Sequence, residues 1–162
     1  PGSACVPEQF RDVGVVIQSY LRLSPDGLAR LIAMRARVRL CKGAYKEPPE
    51  IAFPDKADVD AGFVRLMKRL LSDGNYPGIA THDEAMIAAT HAHAEAVKIP
   101  PDRYEFQMLY GIRRDLQVAL ATEGFRMRVY TPFGSYWYPY LMRRLAERPA
   151  NLLFFARSFV RR

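Results

Sequence analysis

The sequence predicts an α/β fold built on a parallel sheet, and three observations carry that expectation. Short apolar, β-branched runs recur five times, an amphipathic helical pattern follows each, and no fixed-period repeat or low-complexity linker interrupts the alternation. Strict β–α alternation with buried strands calls for parallel pairing and right-handed crossovers. Five such units fit either a complete flavodoxin-like sheet or the back part of an eight-stranded barrel, and counting alone leaves both open.

The first run, residues 13–17, reads as a continuous buried strand. Ser24 is expected to cap the next helix, with Pro25 in its first turn and Leu28, Leu31 and Ile32 on one face. Residues 38–41 form the second strand; the loop after it holds Pro48, Pro49 and Pro54 and is long enough to be functional. Val59, Phe63, Leu66, Met67 and Leu70 then recur at helical spacing until Gly74 stops them. Residues 78–81 are the third strand, and Asp83 is the expected N-cap of a helix through Val97. The fourth strand spans 104–108, followed by a helix with Leu116, Ala119 and Leu120 that ends at Gly124. The fifth spans 126–130; Pro132-Phe133-Gly134 turns the chain, Ser135 caps a helix to about Glu147, and a short apolar helix covers 152–160.

The totals bound the function classes. With 162 residues, 49% of them apolar, the chain can bury a sizeable core. Cys5 and Cys41 match neither a disulfide framework nor a zinc site, so a cytoplasmic, reducing compartment is the expectation. No apolar run reaches the roughly 18 residues that cross a bilayer, and the first residues lack the pattern of a signal peptide. The net charge of +7 is spread along the chain without a dense basic tract, which argues for a solvated basic surface and against nucleic acid. Attraction to a phosphate-bearing cofactor or an anionic membrane is the sharper alternative.

The strands end on polar groups. Gln18, Lys42-Gly43, Thr81-His82-Asp83, Gln107 and Tyr130 each follow or close an apolar run. Functional groups of parallel α/β folds gather at the C-terminal strand ends, so one shared site is expected there. Lys42-Gly43 offers a cation and an unobstructed backbone to an anion, although neither a P-loop nor a Rossmann fingerprint is present. His91 and His93 lie two apart on a helix and face different ways, so no metal is expected. Tyr140, Arg143 and Arg144 share one helix face, where two guanidinium forks beside a ring suit a carboxylate on a small apolar body. A surface ion pair of Arg143 with Glu147 is the plainer reading of the same spacing.

These residues also carry a resemblance. Arg39-Leu40-Cys41-Lys42-Gly43-Ala44-Tyr45, Ala80-Thr81-His82-Asp83, Phe106-Gln107-Met108-Leu109-Tyr110-Gly111, Arg128-Val129-Tyr130 and Tyr140-Leu141-Met142-Arg143-Arg144-Leu145-Ala146-Glu147 resemble, in order, segments of the proline dehydrogenases; Gln18-Ser19-Tyr20-Leu21 matches as well. The resemblance implies a distorted (βα)₈ TIM barrel holding FAD without a covalent link, of which about five C-terminal βα units would be present here. It implies oxidation of L-proline to pyrroline-5-carboxylate, with the electrons passed to a membrane quinone by a cytoplasmic enzyme peripheral to the inner face of the membrane.

The resemblance also implies residue roles. Gln18 and Arg39 would contact the isoalloxazine, with Arg39 beside N5 as the catalytic group. Lys42, Gly43 and Ala44 would approach the ribityl and phosphate portion, and Thr81, His82 and Gln107 would complete the cofactor site. Leu109, Tyr130 and Tyr140 would wall the proline ring while Arg143 and Arg144 hold its carboxylate. Residues 13–162 would form this C-terminal part of the barrel, and residues 1–12 match poorly. The first recognisable strand corresponds to about the fourth of the family's eight. The front part, which in the family carries a substrate-binding lysine and an active-site aspartate, has no counterpart by position. An open half-barrel of this kind would expose strand edges and favour self-association.

Overall fold

The fold is described by a computed structural model over residues 13–43 and 47–135. Its strands are β1 (Gly14–Gln18), β2 (Arg37–Cys41), β3 (Gly78–Ala80), β4 (Glu105–Leu109) and β5 (Met127–Tyr130). Between them lie the helices α1 (Ser24–Ala33), α2 (Lys56–Asp73), α3 (Glu84–Ala96) and α4 (Arg114–Thr122). All neighbouring strands pair in parallel, in the order β1-β2-β3-β4-β5. That sequential order is the one in which barrel strands succeed each other; a flavodoxin-like sheet instead reverses its order at a switch point.

Strand alternation divides the sheet into two unlike faces. Val38, Leu40, Ile79, Phe106 and Met108 point toward the helices and join Phe63, Leu66, Met67 and Leu70 of α2 in one buried cluster. Each such side chain contributes about 1.5–3 kcal/mol through removal from water. The alternate positions, Arg37, Arg39, Gly78, Ala80, Glu105, Gln107, Arg128 and Tyr130, face the other way, and most are polar.

Two expectations change. The run over 13–17 is not buried: Val13, Val15 and Val16 are 58%, 41% and 50% exposed. β1 stands at the sheet edge, with β2 as its one neighbour among the described residues, and of its side chains Ile17 packs against the core. Ser24 is not the cap of α1 either. Leu23 occupies that position, and Ser24 opens the helix while its hydroxyl donates to the Gln18 carbonyl at 2.5 Å. The serine thus ties the helix start to the end of β1. Asp83 does cap α3, its carboxylate accepting from Ala85 N at 3.0 Å.

The loop after β2 packs back on the sheet end. Phe53 N donates to the Tyr20 carbonyl, and the Arg22 guanidinium donates to Pro49 O and lies 4.5 Å from the Phe53 ring centroid. His91 stacks on Phe125 with centroids 4.3 Å apart and meets Phe106 edge-on, so this histidine serves the aromatic packing around β4.

Candidate active site

The polar ends of the strands lie side by side. Gln18 closes β1 opposite Cys41 of β2, and Leu109 of β4 lies opposite Tyr130 of β5. On the face away from the helices, β3 contributes only Gly78 and Ala80, a trough in the sheet that longer neighbouring side chains cover: both residues are buried, and the Gln107 amide lies over Gly78. Three strand spacings, roughly 14 Å, separate β2 from β5. Across that gap Arg39 reaches toward Tyr130, its guanidinium carbon 5.9 Å from the ring centroid. The small residues of β3 leave room for that approach. Arg39 Nε is buried and lacks a hydrogen-bond partner among the described residues. An N–H donor shut off from water without a partner is costly, and an acceptor atom brought to it by a ligand would satisfy it.

His82 follows β3 and faces the end of β4. Its Nε2 accepts from Leu109 N at 2.9 Å, which places the proton of the neutral ring on Nδ1. Burial, with Arg113 and Arg39 adding like charge, pushes its pKa down to about 4. The imidazole is therefore neutral at pH 7 and holds β3 and β4 in register. Thr81 is buried, its hydroxyl accepting from Asp83 N at 3.1 Å.

Lys42 sits in an ion cluster. Its ammonium meets Asp83 Oδ2 at 2.6 Å and also pairs with Asp60, which in turn pairs with Lys56. Burial works against ionisation of both aspartates, but the lysine ammonium groups hold their carboxyls below the usual range. Gly43 has φ +102°, and a Cβ there would fall 2.2 Å from the Tyr20 ring, so local packing already demands glycine. Ala44, Tyr140, Arg143 and Arg144 lie outside the described residues.

One functional candidate was missed in the sequence. Glu105, on the trough side of β4, is buried and fully engaged. Arg128 grips it with two bonds of 2.5 and 2.9 Å, Gln107 Nε2 donates to it at 2.6 Å, and the Tyr76 hydroxyl donates at 3.3 Å. Burial favours its neutral form, yet these donors, Arg128 foremost, hold its pKa below the usual value. The available signal was a run of polar residues two apart on adjacent strands: Glu105 and Gln107, Arg126 and Arg128.

The arrangement sets a guanidinium with an unpartnered donor beside an aromatic ring, among neutral or paired polar groups at the strand ends. Comparison with known proteins places it in a family. The profile described as Proline dehydrogenase matches residues 4–157. Proline dehydrogenase 1 of Bacillus subtilis is 45% identical over 155 residues, covering 96% of this chain and 51% of the relative. Proline dehydrogenase of Deinococcus radiodurans is 50% identical, covering 95% of this chain and 53% of the relative. The chain thus spans about half the length of these relatives. Among solved structures, proline utilization A of Bdellovibrio bacteriovorus, inactivated by N-propargylglycine, superposes with a TM-score of 0.76 at 35% identity over 82% of this chain and 16% of its own. Proline utilization A of Bradyrhizobium japonicum, as its D779Y mutant, gives 0.76 at 30% identity over 90% of this chain and 17% of its own.

Proposed function

The chain belongs to the proline dehydrogenase family, and from that premise we propose that its polar sheet face forms the cofactor and substrate wall of an FAD-dependent enzyme oxidising L-proline. In the proposed reaction a hydride leaves the proline ring carbon next to nitrogen and a proton leaves that nitrogen, giving pyrroline-5-carboxylate. FAD, when bound, would supply the acceptor for the electron pair, with a quinone as the proposed onward acceptor.

The observation that carries this reading is Arg39. Its Nε is buried without a hydrogen-bond partner among the described residues, on the sheet face that Gly78 and Ala80 share. A fixed guanidinium there stabilises negative charge as the ring is reduced, and its charge needs no proton transfer to act. Gln18, Thr81, His82 and Gln107 stand along the same strand ends as cofactor contacts. His82 is neutral there. For Lys42, a phosphate contact requires the ammonium to leave or share its pairing with Asp60 and Asp83. Gly43 and Ala44 remain proposed for the cofactor's phosphate side. Leu109 and Tyr130 would wall the substrate, with Tyr140, Arg143 and Arg144 closing over its ring and carboxylate.

Among the described residues no helix is long and apolar enough to cross a membrane. A cytoplasmic protein touching the membrane through its basic surface, where quinone is reached, agrees with the net charge of +7. The exposed β1 edge is a surface on which further strands, from this chain or a second copy, can pair.

The test is the visible spectrum of the purified protein loaded with FAD, recorded before and after L-proline is added without oxygen. Bleaching of the bound flavin is the expected result. Bound flavin that stays yellow would reduce the reading to a flavin-binding module.

A further inference from the structure

Gln107 lies on the trough side of β4, and its amide can present either of two chemically opposite ends to a ligand. Oxygen accepts and nitrogen donates, and the two are alike in shape. What decides the orientation is the neighbour. Glu105, two residues earlier on the same face, is buried and held as a carboxylate by Arg128 at 2.5 and 2.9 Å, with the Tyr76 hydroxyl at 3.3 Å. A carboxylate only accepts, so the nitrogen of Gln107 must face it, and does so at 2.6 Å.

Gly78 completes the arrangement. On the neighbouring strand, it leaves the space in which this nitrogen lies: a Cβ at Gly78 would come 2.4 Å from Nε2 and 3.0 Å from Cδ. The glycine is not there for its backbone freedom, since it pairs as an ordinary strand residue with Glu105 and Arg39. A Cβ there would displace the amide from its present position.

We propose that Glu105 is a positioning residue that fixes the Gln107 amide with its oxygen presented as an acceptor to the bound ring, Gly78 providing the space. This rests on the reading that Gln107 borders the flavin. Arg128 acts one step further out: its side chain is 63% exposed, and it keeps Glu105 charged and still. The chain Arg128–Glu105–Gln107 thus carries a fixed orientation from the solvent side of β5 to the trough.

The test uses the FAD-loaded protein and reads the visible spectrum and midpoint potential of the bound flavin beside kcat and KM. Gln107→Leu should shift both flavin properties. Glu105→Gln, which removes the acceptor-only constraint, should shift them in the same direction with FAD retained. It should also lower kcat roughly tenfold or more through misplacement, at an unchanged KM for L-proline. The double variant should match Gln107→Leu alone, because both changes act through one amide. Gly78→Ala keeps the ion pair and displaces only the amide, so it should reproduce the same shift where Glu105→Gln folds poorly. If Gln107→Leu moves the flavin but Glu105→Gln and Gly78→Ala do not, Glu105 is structural and the proposal falls. If Gln107→Leu moves nothing, the placement of Gln107 beside the flavin is wrong and the proposal falls with it.

Discussion

The two faces of the sheet solve opposite problems. The helix-covered face is apolar and closed: Val38, Leu40, Ile79, Phe106 and Met108 are each at most 2% exposed and pack on α2 and its neighbours. The other face carries Arg39, Glu105, Gln107, Arg128 and Tyr130, of which Glu105 is the buried charge. One face supplies the folding free energy, and the other spends part of it on holding charges where a ligand can use them. The strands β2, β3 and β4 connect the two, since every second residue belongs to each face.

The largest expected effect lies on the closed face. Phe63→Ala should lower stability by about 3–5 kcal/mol, read from urea denaturation, because the fully buried ring leaves a cavity. A cost below about 1 kcal/mol would mean that the helix layer is not the core.

His82 gives the next effect, at the junction of the faces. Its folded pKa, about 4, lies below its ordinary 6.5, so between those values the unfolded chain takes up a proton that the folded chain refuses. Stability should therefore fall by about 3 kcal/mol as pH drops through that window, and this contribution should level off below it. His82→Gln should flatten the slope there; an unchanged slope would show that the imidazole is not the group responsible.

Gly43→Ala should cost about 1–3 kcal/mol, from its positive φ and the Tyr20 ring together, measured as a lowered thermal midpoint. Smallest is Lys42→Ala. Its cluster with Asp60 and Asp83 is partly exposed, so about 1 kcal/mol or less is expected, shrinking further in high salt.

Much of this was legible in the sequence because periodicity reports burial. The apolar stripe from Val59 to Leu70 is α2, and the Asp83 cap is a local contact written within three residues. The C-terminal strand ends also announced themselves, since Gln18, His82 and Tyr130 interrupt apolar runs. What was not legible depends on distant partners. The valines of β1 look like a buried strand, and only the strand order reveals an edge. The ion pairs of Lys42 were not legible either, because its partners, Asp60 and Asp83, are 18 and 41 residues away. Ser24 looked like a cap but bonds back to Gln18. Glu105 was passed over because a single acid in a strand reads as surface until Arg128, on the next strand, is seen to grip it.

The central claim is that the open polar face, and Arg39 on it, receives the flavin. The direct measurement is an FAD titration followed by flavin fluorescence, comparing the unaltered protein with Arg39→Met and with Lys68→Met, a change of an exposed α2 residue on the helix side. Weakened binding or an altered bound-flavin spectrum in Arg39→Met alone is the predicted result. Equal binding and identical spectra in all three proteins would contradict the account.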